Sequence, residues 1–220
     1  MRTFSEKGPE MGVAREQESE IHRLCEQQAY SEAVELTIEL YGEELARFTH
    51  AVLRRPDLAN DVYSCVCEKL LKSLPRFRWE SSLRMWLFRV ARNECMEGLR
   101  SRARREIPVS QPLQPEAAQQ ERSRTKPWLR TDVKEGFRAL REQLSPHDRM
   151  LLQLKVEQDL PWTDVAEILW DEPAPPTREA LEKRAASLRQ QFKRLKERLK
   201  ALAIESGLIN PEEPTGTAAH

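Results

Sequence analysis

The chain has 220 residues, 39% hydrophobic and 33% charged, with 36 Lys+Arg balanced by 36 Asp+Glu. This composition suits one large or two small polar, helix-rich domains and excludes a fibrous or collagen-like chain. No apolar run approaches the roughly 20 residues of a bilayer span, and the charged start Met1-Arg-Thr-Phe-Ser-Glu-Lys-Gly lacks a signal peptide's apolar stretch, so a cytoplasmic chain without membrane insertion is expected.

Glycine is rare, at 7 residues, and apolar residues recur at helical spacing, which predicts an all-α fold. The first 32 residues form an acidic N-terminal extension. Val34, Ile38, Tyr41, Leu45, Phe48 and Val52 then step by 4, 3, 4, 3, 4, an amphipathic helix that ends near Arg55-Pro56 because proline and its predecessor resist helix. A second helix follows Asp57, with Val62, Val66, Leu70 and Leu74 as its seam and Pro75 as its stop. A third spans about 82–104 and gathers Leu83, Leu87, Val90 and Ala91 within about 100° of its circumference. These three helices can share one core, giving a first unit over 33–107.

Residues 108–127 are rich in Pro, Gln and Ser and read as a flexible interdomain linker. A second small helical unit is expected over 128–208. Val133, Phe137, Leu140 and Leu144 resume a helical stripe, and Ser145-Pro146 offers an N-cap and first-turn proline to the next helix. A short helix near 161–170, the loop 171–177 and a long helix to about Ala203 make a helix-turn-helix candidate. The long helix places Leu181, Ala185, Leu188, Phe192, Leu195 and Leu199 on one stripe. The tail 209–220 is expected to be disordered.

The zero net charge hides segregation. Residues 1–60 carry 7 Lys/Arg against 12 Asp/Glu, residues 84–105 carry 7 Arg against Glu94 and Glu97, and residues 178–200 carry 9 Lys/Arg against Glu179, Glu182 and Glu197. Two separate basic segments suit two contacts with a polyanion, or else two solvated helix faces. On the third helix Arg89, Asn93 and Arg100 fall together, with Trp86 and Met96 nearby, away from the leucine stripe. Guanidinium suits phosphate, amide suits base edges, and flat rings suit unstacked bases. Phe77 and Trp79 in the preceding loop either hold an extruded base or close the core. On the last helix Lys183, Ser187, Gln190 and Arg194 lie opposite the leucine stripe, a face fit for a major groove; a dimeric coiled coil through the leucines is the alternative.

Catalysis finds no support: His22, His50, His147 and His220 lack a triad pattern, and there is no glycine-rich phosphate loop. Four scattered cysteines (Cys25, Cys65, Cys67, Cys95) argue for reduced thiols, with Cys65 and Cys67 expected as buried small residues. His22 and Cys25 are spaced like two metal ligands, but two ligands make no site, so neither metal nor cofactor is expected.

The run Asp57-Leu-Ala-Asn-Asp-Val-Tyr, then Phe77-Arg-Trp-Glu-Ser-Ser-Leu-Arg-Met-Trp-Leu-Phe-Arg-Val-Ala-Arg-Asn-Glu and the arginines of 100–105, resembles the second domain of bacterial sigma-70 family factors, above all the small extracytoplasmic-function (ECF) group. Leu140-Arg-Glu-Gln-Leu-Ser-Pro-His-Asp-Arg149, Leu160-Pro-Trp-Thr-Asp-Val-Ala-Glu-Ile-Leu169 and Ala180-Leu-Glu-Lys-Arg184 are similar to the family's fourth domain. The resemblance spans about 33–200. It implies a non-catalytic initiation factor that docks on the clamp helices of core RNA polymerase through Asp57, Asp61 and Glu68. Phe77, Trp79, Trp86, Arg89, Asn93 and Arg100 would melt and read the minus-ten element of promoter DNA, and Lys183, Ser187, Gln190 and Arg194 the minus-thirty-five element. The turn 171–177, with three prolines, is longer than the family's three or four residues, and Glu179 and Glu182 sit early in the recognition helix. An anti-sigma protein is a further candidate partner. A stand-alone helix-turn-helix regulator, which would leave the Trp86-to-Asn93 segment unexplained, and a helical adaptor whose basic faces bind acidic proteins are the alternatives.

Overall fold

The structure, a computed structural model, describes residues 7–105, 140, 143–172 and 174–209; the side chains of 7–15 and 105 lie outside the description, as do the expected linker 108–127, Val133, Phe137 and the tail beyond Ile209. Among the described residues every regular element is helical. They are α1 (Lys7–Glu26), α2 (Tyr30–Leu53), α3 (Pro56–Ser73), α4 (Leu83–Arg105), α5 (Pro146–Leu152), α6 (Trp162–Ile168) and α7 (Arg178–Glu205). A 3-10 turn, Leu74–Arg76, follows α3, and a π turn, Gln153–Glu157, follows α5.

The helix ends follow local chemistry. Arg54, in the left-handed conformation at φ 58°, closes α2 by donating its backbone N–H to the His50 carbonyl at 2.9 Å. Arg55 is extended, as the residue before a proline prefers, and Pro56 occupies the first turn of α3, where its missing N–H costs nothing. Ser145 caps α5, its Oγ accepting the Asp148 N–H at 3.1 Å, and Thr177 caps α7 by accepting from the Ala180 N–H at 3.2 Å.

Helix α2 is central and packs against α1, α3, α4 and α5, while α4 also packs against α6 and α6 against α7. The seams foreseen on α3 (Val62, Val66, Leu70) and α4 (Leu83, Leu87, Ala91) are buried, while Val90, foreseen with the latter, is half-buried. Phe88 and Cys95 join the latter, and the Phe88 and Phe48 rings meet edge to face with centroids 5.4 Å apart. On α7, Ala185, Leu188 and Leu195 are buried. The buried residues of both halves form one contiguous apolar cluster, running from Ile21 on α1 to Leu195 on α7.

Two expectations from the sequence need correction. At the start of α2 the core face is Ala33 and Thr37, not Val34 and Ile38: Ile38 is 38% exposed and Val34 half-buried. Thr37 tolerates full burial because its hydroxyl donates to the Ala33 carbonyl at 2.6 Å, and α1 covers this side of the helix. The step pattern missed this because two β-branched residues one position over fit the same period. Cys65, expected to be buried, is exposed, and Cys67 is half-buried; Cys95 alone of the four is fully inside, and burial pushes its thiol up to about 12.

The corrected register predicts unequal costs on truncation. Phe88→Ala should lower unfolding stability by about 3–5 kcal/mol, as removal of a buried ring does, whereas Ile38→Ala should cost under about 1 kcal/mol. Chemical denaturation monitored by circular dichroism measures both.

Candidate nucleic-acid interface

The buried seam of α4 turns its other residues outward near the loop 77–82. In that loop Trp79 sits in the left-handed region, φ 58°, a conformation that costs a bulky residue of order 1–2 kcal/mol unless its surroundings hold it. Packing does hold it. The Trp79 indole meets the His22 ring of α1 edge to face at 4.4 Å and the Phe77 ring at 5.0 Å, while Phe77 also lies 5.4 Å from Trp86 on the first turn of α4. All three rings of 77, 79 and 86 are half-buried, each keeping part of its surface in solvent.

The N-terminus of α4 is fixed from two sides. The Ser82 hydroxyl accepts the Met85 N–H at 3.2 Å, and Glu18 on α1 accepts the Arg84 N–H at 3.1 Å, placing a carboxylate at the positive end of the helix. Glu18 also accepts the Tyr41 hydroxyl at 2.7 Å, and burial, then the Glu18 carboxylate, raises the Tyr41 phenol well above its usual range. Side chains at positions 18 and 22 of α1 therefore brace the loop and the helix it leads into. The sequence assigns this extension no role; nothing in the linear order joins Glu18 and His22 to Arg84 and Trp79, about sixty positions away, and only the fold brings them together.

Beside the loop lies an open pocket of about 320 Å³, walled by Phe77 and Trp86 and edged by the cations Lys72, Arg76, Arg78 and Arg89. Its volume is at the low end of the ~300–1,000 Å³ typical of small-ligand sites. Two flat rings with four cations and one acid, Glu80, suit a planar group carrying phosphate. Farther along α4, Asn93 is exposed, its Oδ1 accepting from Arg92 at 2.9 Å, and Arg100 is exposed and paired with Glu97 at 3.0 Å. Arg89 does not point freely into the pocket: its Nη1 lies 3.2 Å from Glu167 of α6. Arg92, one turn on, is paired with Asp171 in the turn after α6.

The other expected residues stay apart from this site. Asp57, Asp61 and Glu68 are all exposed along one stripe of α3. The Arg55 guanidinium, 2.8 Å from Asp57, holds that carboxyl below its ordinary range, and Glu68 pairs with Lys72 at 3.1 Å. Lys183, Ser187, Gln190 and Arg194 are all exposed on one stripe of α7, opposite its buried leucines. The preceding turn is tied across by the Trp170 indole N–H, which donates to the Ala174 carbonyl at 2.9 Å. Arg92, Glu167 and Asp171 were not singled out from the sequence, because the partners of the two ion pairs are about 80 positions apart and nothing in the linear order joins them.

No helix among the described residues is long and apolar enough to cross a membrane. The chain matches no curated protein. Residues 37–105, which take in most of α2, all of α3 and α4, and the loop with its pocket, match the family model of sigma-70 region 2. Region 2 is a non-catalytic module of transcription initiation that engages core RNA polymerase and promoter DNA. On that match residues 37–105 of the chain are similar to region 2 of the sigma-70 family of sigma factors.

Proposed function

We propose that the chain is an ECF-type sigma factor acting in the cytoplasm, where it brings core RNA polymerase to promoters and traps the opened strand. In this reading 33–107 is the polymerase and minus-ten unit, 108–127 the linker, and 128–208 a helix-turn-helix unit that reads the minus-thirty-five element. The observation that carries the reading is the pocket at the head of α4. Its two rings and four cations fall inside the region 2 match, and a braced loop holds them in place.

The division of labour follows from what each face offers. Strand opening needs no bond chemistry, only binding energy that favours unpaired bases over stacked ones. Phe77, Trp79 and Trp86 supply ring faces for stacking, and Arg76, Arg89 and Arg100 neutralise the backbone beside them. Asn93, with amide donors and an acceptor, is suited to a base edge. The exposed acids Asp57, Asp61 and Glu68 make α3 the side for a basic protein surface, which fits the clamp helices of polymerase better than it fits DNA. On α7, Lys183, Ser187, Gln190 and Arg194 present cation, hydroxyl and amide to one groove, while Glu179 and Glu182 at its first turns keep that end off phosphate. The seven-residue turn sets how far α7 stands from α6.

The deciding experiment is to add the purified chain to core polymerase and sequence transcripts from a library of promoter fragments. A distinct set of start sites that depends on the chain is expected; no chain-dependent transcript defeats the reading. Asp61→Arg should weaken co-purification with core polymerase at least tenfold, with circular dichroism and melting unchanged because the residue is exposed. Replacing Lys183, Gln190 and Arg194 together with Ala should weaken retention on duplex promoter DNA. The slope of log affinity against log salt should become shallower by about 2, since two phosphate-seeking cations are lost.

A further inference from the structure

We infer that Glu18 and His22 of α1 are positioning residues for strand capture: they hold the Trp79 loop and the first turn of α4 in the shape that receives a base. Neither side chain lines the pocket, and both lie outside the region 2 match, which begins at residue 37. The inference rests on the reading of loop 77–82 as part of the base-capturing site and gives the N-terminal extension a part in that work.

Positions 18, 21, 22 and 25 fall along one side of a helix. Ile21, on that side, is buried in the same apolar cluster as Tyr41 and Phe48 of α2, which fixes how α1 is rotated. One oxygen of Glu18 then takes two bonds, the Tyr41 hydroxyl at 2.7 Å and the Arg84 N–H at 3.1 Å. Tyr41 is itself buried, so the carboxylate is tethered to the core and is not free to swing. The Arg84 N–H belongs to the first turn of α4, where backbone donors lack helical acceptors. The Arg84 side chain is held from α2, its Nε 3.0 Å from Glu44, with its guanidinium 5.5 Å over the Phe88 ring. The start of α4 is thus pinned through one residue to α1 and α2 together.

The loop needs this support because of its own backbone. Trp79 holds φ 58°, and a left-handed conformation at a bulky residue is disfavoured by about five- to thirtyfold against relaxed alternatives. Two ring contacts oppose that relaxation, Phe77 at 5.0 Å and His22 at 4.4 Å. Phe77 belongs to the loop and moves with it, whereas His22 ties the indole to a helix seated in the core. The rings continue from Phe77 to Trp86 at 5.4 Å, so His22, Trp79, Phe77 and Trp86 form one file running from α1 to the two aromatic walls of the pocket. Removal of the His22 ring frees Trp79 to leave the left-handed region. Phe77 then loses its neighbour, and the pocket loses the fixed spacing of its walls, which base stacking depends on.

The test uses the full chain with core polymerase on a promoter recovered from the library. Strand opening is read by permanganate reactivity, and recruitment by retention on the duplex and by affinity for core polymerase. His22→Ala should lower opening about fivefold or more and leave both recruitment readouts unchanged. His22→Phe, which keeps a ring, should open as the parent does. Glu18→Ala should also lower opening, and Glu18→Gln, which keeps the acceptor oxygen, should restore it. Arg23→Ala, on the exposed side of the same helix, should have no effect. A double-mutant cycle separates positioning from general loosening: once Trp79→Ala has removed the indole, His22→Ala should lower opening no further. An equal loss in both backgrounds overturns the inference, because a folding defect persists whether or not Trp79 is present. Normal opening by His22→Ala, with Trp79→Ala impaired, overturns the inference alone and leaves the loop's assignment standing. Normal opening by Trp79→Ala overturns the loop's part in base capture and the inference with it.

Discussion

The burial of one side of α4 is the constraint on which the rest depends. Leu83, Leu87, Phe88, Ala91 and Cys95 are all fully inside, with Phe88 seated on Phe48 of α2. A helix with that much apolar area on one side cannot rotate without exposing it, at roughly 25 cal/mol per Å². Trp86, Arg89, Asn93 and Arg100 are thereby aimed away from the α2 contact, toward whatever lies beyond. Of these only Arg89 meets an acid of α6, Glu167; in the proposed complex all four face DNA.

Charge is distributed to serve the same helix from both ends. The acidic extension and α2 contribute Glu18 and Glu44, which satisfy the backbone and guanidinium of Arg84 and stabilise the start of α4. The arginines from 89 onward have fewer acids of their own helix, Glu94 and Glu97 only, and Glu94 is committed to Lys69 at 2.5 Å. Glu97 pairs with Arg100 and Arg104 within the helix, and neutralisation of Arg89 and Arg92 comes from another element. The zero net charge of the chain is in this sense an internal balance between segments.

Much of this was legible in the sequence. The seams of α3 and α4, the stop at Pro56, the cap at Ser145 and the outward stripe on α7 follow from 3.6-residue periodicity and from capping chemistry, both local properties. Val34 and Ile38 misled because neighbouring β-branched residues satisfy the same period one position off, and only the packing of α1 decides between them. The sequence offers Trp79 both a core role and a binding role; in the fold its left-handed backbone is held by His22 and Phe77 while the ring stays partly open. Arg89 with Glu167 and Arg92 with Asp171 lay beyond reach, since each pair joins helices from opposite halves of the chain and no local pattern encodes that pairing.

The central claim is that the loop and pocket at the head of α4 hold unpaired bases. Permanganate reactivity of promoter thymines, in complexes with core polymerase, measures this directly. The parent chain should render thymines of the minus-ten region reactive, and Phe77→Ala with Trp86→Ala should abolish that reactivity while the complex still forms on the duplex upstream, since each lost stacking contact costs about 1–3 kcal/mol. Unchanged reactivity in the double variant would contradict the account.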